Sequence, residues 1–176
     1  MSRKSNSNSK EDILYNNILS LVRNKELYTR FDLRDTFQNR INLIFLHVSF
    51  LFIKVKHNKN IKIYDIFYQK MFDLIFKKIE IDMREIGYGD TTVNKNMKFL
   101  TRTFYNILLN CETYKKKSYK LKNTFLDNCL SVNSVIASEK AAFIDSLIEY
   151  FNKYEAFCFD LSSDSVLQGD LKFNYK

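Results

Sequence analysis

Proline is absent from this chain and glycine occurs only three times. That leaves almost no chemistry for tight turns or bulges, which argues against a strand-rich fold with many reversals. Long helices joined by short connections are expected instead. Histidine occurs twice. His47 sits inside the most apolar stretch of the chain, where a satisfied structural role fits better than a base or ligand, because a catalytic imidazole needs an orienting partner and a cleft. His57 lies in a Lys-rich stretch and reads as solvated. There is no G-x-S-x-G, no H-E-x-x-H and no Gly-rich strand-to-helix loop. Asp82, Glu85 and Asp90 cluster in sequence, but cap and surface roles account for them. The chain is therefore read as a non-enzyme without catalytic residues, metal ligands or a cofactor. Cys111, Cys129 and Cys158 are odd in number and widely spaced, with no C-x-x-C, and are expected to be reduced core thiols. The longest apolar run, INLIFLHVSFLFIKV, has 15 residues with Asn42, His47 and Ser49 inside it. It falls short of the roughly 20 needed to span a bilayer and fits a central bundle helix.

A chain of 176 residues is one domain by size, and 45% hydrophobic and 15% aromatic residues supply a sizeable core. The net charge is +8, unevenly spread: residues 1–122 carry 24 Lys and Arg against 12 Asp and Glu, and residues 123–176 carry 4 against 8. A basic body suits an anionic partner such as RNA or a headgroup surface. Enrichment in Lys, Asn, Ile, Phe and Tyr together, as a biased base composition produces, accounts for part of that charge. With 16 Phe and 11 Tyr, a bundle this small cannot bury every ring. An exposed aromatic surface can hold apolar segments of varied sequence, or stack on single-stranded bases, and composition does not separate the two.

The pattern predicts an all-α, single-domain bundle of about five to seven helices. A basic tail, disordered, is expected over 1–9, since no apolar stretch follows MSRKSNSNSK. The helical domain spans 10–160, and 161–176 forms an irregular C-terminal tail. A first helix over about 10–24 has a capping box in Ser9 and Asp12 and a stripe of Ile13, Leu14, Ile18, Leu21 and Val22. A second, over about 36–56, has a capping signal in Asp35 and Gln38 and is apolar all round, which buries it on most sides. Further helices are expected over about 63–86, 92–114, 121–130 and from Ser138, read as an N-cap, to about 157. Lysines in the two basic connections, Lys56, Lys59 and Lys62 in the first and Lys115, Lys116 and Lys117 in the second, are the candidates for contact with a partner.

Two of the three glycines stand in DMREIGYGD (82–90). A phosphate loop places its glycines after a strand and ahead of a helix. Here they follow a long helical pattern, so the stretch reads as a corner. Gly87 ends one helix in the left-handed region, Gly89 permits the reversal, and Asp90, Thr91 or Thr92 caps the next.

The order of these elements resembles the ubiquinol–cytochrome c chaperone family over about residues 14–110. FQNRINLIFLHV (37–48), DMREIGYGD, and Val93, Lys95, Met97, Lys98, Phe104 and Tyr105 after it carry the resemblance most specifically; GDLKF (169–173) matches more weakly. The resemblance implies an assembly chaperone for the cytochrome bc1 complex that binds newly made cytochrome b. It also implies contact with a ribosome or membrane surface and, in mitochondrial members, a small partner chaperone subunit. A cytoplasmic, bacterial form at the inner-membrane periphery is expected. The alternative on composition alone is a basic helical nucleic-acid-binding module.

Overall fold

The computed structural model describes residues 9–56 and 61–175. His57 and Lys59, and the basic tail except Ser9, lie outside these. The all-α expectation holds: the described residues form eight α-helices and one 3-10 turn, with no strand longer than a single bridge. They are α1 (Lys10–Val22), α2 (Lys25–Arg30), α3 (Phe37–Lys56), α4 (Ile61–Glu85), α5 (Asp90–Glu112), α6 (Tyr119–Cys129), α7 (Ala137–Asp160) and α8 (Ser163–Gln168), with the 3-10 turn at Tyr114–Lys116. Six were expected; α2 and α8, six residues each, are additions to that set.

Starts are set by short polar side chains that accept from freed backbone N–H groups. Ser9 accepts from Asp12 N at 3.1 Å and donates to the Asp12 carboxylate at 2.8 Å, the expected box. Asn24, Ser118 and Ser162 cap α2, α6 and α8 in the same way. Two expected caps are corrected. Thr36, not Asp35, accepts from Asn39 N at 3.2 Å ahead of α3, while Asp35 is held by a two-pronged pair with Arg40 at 2.6 and 2.8 Å. Ser138 lies inside the first turn of α7; Ser134 accepts from Ile136 N and donates to Glu139 just before it. Residues 161–176 are not irregular throughout, since α8 forms there and Gly169 closes it with positive φ.

α3 is the axis. From Ile41 to Ile53 every side chain is buried, as a helix apolar on all faces requires. α5 and α7 run parallel to it: Lys56 meets Glu112, and Tyr150 and Tyr154 of α7 meet His47. α4 runs antiparallel, stacking Phe76 on Phe45 at 5.6 Å and setting Phe67 edge-on to Phe52 at 5.8 Å. Each large side chain fully buried in this way contributes about 1.5–3 kcal/mol. Not all of the stripes face inward. Ile13 and Ile66 are exposed, and Leu21, Leu74, Met97 and Phe143 are half-buried.

Three polar side chains fix α3 in register. Asn39 donates to the carbonyls of Arg34 (2.8 Å) and Ser131 (2.7 Å) and accepts from Ser131 N (3.0 Å). Asn42 donates to Cys129 O at 2.7 Å. His47 donates from Nδ1 to Leu43 O at 2.7 Å and accepts at Nε2 from the Tyr150 hydroxyl at 2.8 Å. A carbonyl only accepts, so the proton is on Nδ1. The three thiols are free; Cys111 and Cys158 are buried and Cys129 is half-buried. Burial pushes Cys129 and Cys158 up to about 12.

Candidate functional site

The DMREIGYGD corner has the geometry its sequence implies at Gly87. Its φ is +100°, Gly87 N donates to Arg84 O at 3.0 Å and Tyr88 N to Met83 O at 3.1 Å. That pair of bonds is a Schellman closure, with glycine in the left-handed position. Gly89 differs from the expectation. Its backbone is extended (φ −71°, ψ 159°), it is itself the residue ahead of α5, and no side chain caps that end. Asp90 is the first helical residue and pairs with Arg84, which also holds Glu80 at 2.9 Å. The corner is therefore pinned across its two helices by one arginine between two carboxylates.

Two grooves flank this corner. One, of about 340 Å³, lies between α1, α3 and α4. Its apolar lining is Leu19, Phe37, Ile41, Ile44, Ile79 and Ile86, and it also carries Arg23 and Arg40 with Asp82 and Glu85. Tyr15 lies at its edge, its phenol pushed up to about 12 by burial and by nearby Asp82, so it stays a neutral donor. The second groove, of about 310 Å³, is lined by Phe37, Gln38, Met83, Tyr88, Phe99 and Leu100. Phe37 is shared, so the two form one apolar surface with a charged border. Ile86 in the first groove and Phe99 in the second, 58% and 57% exposed, are large apolar side chains given to water. The segments that line it are α1 with Arg23 after it, the start of α3, and the corner with its two flanking helix ends, within residues 15–23, 36–44 and 79–100.

Of the lysine candidates, the described ones, Lys56, Lys62, Lys115, Lys116 and Lys117, lie at the opposite end of the bundle, where α3 and α5 finish and α4 begins. Lys56 is paired with Glu112, and Lys115 lies 5.4 Å from the centre of the Phe159 ring. Lys62 and Lys116 are exposed and Lys117 is half-buried. The grooves were not among the surfaces expected from the sequence. Their signal was available only as apolar residues, Ile86 and Phe99, that fall outside the stripes of α4 and α5. Cations near helix C-termini suit the negative end of the helix dipole, which gives Lys54 and Lys56 a local reason to be there. His47 belongs to neither surface. It is wholly buried, its imidazole pushed down to about 4 by desolvation, and both ring nitrogens are engaged.

An all-α bundle with an open apolar end fits a domain that holds another polypeptide. The family model described as Ubiquinol-cytochrome C chaperone matches residues 29–173, and the chain belongs to that family. Its members are chaperones for assembly of ubiquinol–cytochrome c reductase. No curated protein matches. Among solved structures, the crystal structure of the Cbp3 homolog from Brucella abortus shares the fold, with a TM-score of 0.75 and 22% identity, covering 94% of this chain and 89% of that one. Among the described residues no helix is long and apolar enough to cross a membrane.

Proposed function

We propose that this chain binds newly made cytochrome b and holds it through the apolar surface beside the Gly87 corner during assembly of the bc1 complex. One observation carries the reading. The two segments with the most specific family resemblance, 37–48 and 82–90, are far apart in sequence yet line the same pair of grooves. Bulky apolar side chains with a border of both charges suit a membrane subunit before its partners arrive, because such a segment offers greasy helices with charged ends. Family membership favours this reading over a basic nucleic-acid-binding module. The lysines at the other end, Lys62, Lys115 and Lys116, then face an anionic surface where the client is made.

A photo-crosslinking residue placed at Ile86, in the full chain during synthesis, tests the surface. Capture of cytochrome b from position 86, and not from exposed Leu109 on the far half of α5, is the expected result. Equal capture from both positions, or loss of the chain leaving bc1 levels normal, would sink it.

A further inference from the structure

Residues 171–175 are held differently from the helices before them. Beyond Gly169 the backbone runs without regular structure to Tyr175, and its side chains alternate: Leu171 buried, Lys172 exposed, Phe173 half-buried, Asn174 exposed, Tyr175 half-buried. A period of two is what an extended peptide shows when one side lies on a surface. That surface is aromatic. The Phe173 ring lies 5.6, 5.1 and 5.2 Å from those of Tyr150, Tyr154 and Phe157. Tyr175 lies 5.0 Å from Tyr150 and 5.8 Å from Phe31. The Arg30 guanidinium and the Lys153 ammonium stand 4.7 and 4.8 Å from the centre of the same ring.

The two ends of this segment contrast. Gly169 is a fixed anchor: φ is +86°, its carbonyl accepts from Asn17 at 2.8 Å, and a β-carbon there would lie 2.9 Å from Lys10 O. Past Asp170, whose N–H still bonds Ser165 O at 2.9 Å, no backbone–backbone hydrogen bond is made by residues 171–175 among the described residues. The strap is held by side chains alone, and a peptide bound without backbone pairing is exchangeable for any other that presents the same rings at the same spacing.

We infer that residues 171–175 are a built-in occupant of an aromatic peptide slot. When the strap swings away about Gly169, an extended segment of a client protein with aromatic side chains at alternate positions takes its place. The slot is formed by Phe31, Tyr150, Tyr154 and Phe157, with Arg30 and Lys153 placed to favour an electron-rich ring. It is distinct from the grooves beside the Gly87 corner. Only the nature of its occupant rests on the client-holding reading above; the slot itself does not.

The test uses the full chain, wild type and with Phe173→Ala plus Tyr175→Ala, and a fluorescein-labelled peptide of sequence GDLKFNYK followed by anisotropy. The variant is expected to keep its far-UV circular dichroism and to bind the peptide saturably, at least tenfold tighter than the wild type, whose own strap competes. Tyr175→Ala alone should lie between them. An unlabelled peptide of unrelated sequence that keeps Leu-x-Phe-x-Tyr should displace the label, and its scrambled form should not. Equal binding by wild type and variant, no binding by a folded variant, or displacement by the scrambled peptide overturns the proposal. Loss of helical signal in both variants would make the strap part of the folding core and overturns it as well. Crosslinking from Ile86 is read separately, so its failure with the slot intact counts against the client reading alone.

Discussion

His47 makes the folded protein acid-sensitive in a calculable way. Its imidazole is fully buried, bonded on both sides, and pushed from its ordinary value of 6.5 down to about 4 by desolvation. A folded-state value below the unfolded one means that acid favours the unfolded chain. The stabilisation is fully present above about pH 7 and is lost as pH falls from 6.5 towards 4. At pH 5 the unfolded chain holds the proton and the folded chain does not, which costs about 2 kcal/mol relative to pH 8, rising to about 3 kcal/mol below pH 4. Urea unfolding of wild type and His47→Gln at pH 8 and pH 5 measures this. Glutamine keeps a polar side chain at the site but does not titrate. Its absolute stability will be lower, yet its loss between the two pH values should be smaller by about 2 kcal/mol, near 1 M in urea midpoint for an m-value of about 2 kcal/mol/M. Glu155, whose carboxyl is raised by burial, titrates with the opposite sign but is present in both proteins and cancels in the difference. Parallel pH profiles for the two proteins would refute the assignment of a buried, neutral His47.

The two corner glycines should respond unequally. Gly87→Ala forces a side chain into φ of +100° and should cost about 1 kcal/mol or more, whereas Gly89→Ala, at extended backbone with open space around it, should change stability by less than about 0.5 kcal/mol; thermal or urea unfolding checks both. Asn39→Ala strands the Ser131 N–H and takes one of two donors from the carbonyls of Arg34 and Ser131, which keep the N–H groups of Thr36 and Arg34; it should cost about 1–3 kcal/mol, visible as a lower urea midpoint with an unchanged slope.

Much of the architecture was legible because helical period and burial coincide here. The run from Ile41 to Ile53 is apolar on every face, and only the middle of a bundle accepts such a helix. Gly87 was legible because a glycine after a long amphipathic pattern has one common use. The cap at Thr36 was not, because Asp35 and Thr36 both stand at the start of α3 and Asp35 was taken by Arg40, five residues further on. The C-terminal strap was hidden because an alternating five-residue segment has too few positions to declare a period. The grooves were hidden for a different reason. An exposed Ile86 and a buried Ile79 are the same letter, and only the packing of α1, α3 and α4 tells them apart.

The Asn39 clamp has a consequence in time. Its partner Ser131 lies 92 residues further along the chain. At ribosomal rates of 5–20 residues per second, roughly 5–18 seconds pass between the emergence of the two. Through that interval the start of the most apolar helix has neither its clamp nor α7 over it. The protein must itself spend several seconds as a half-made, greasy chain before it can take care of another.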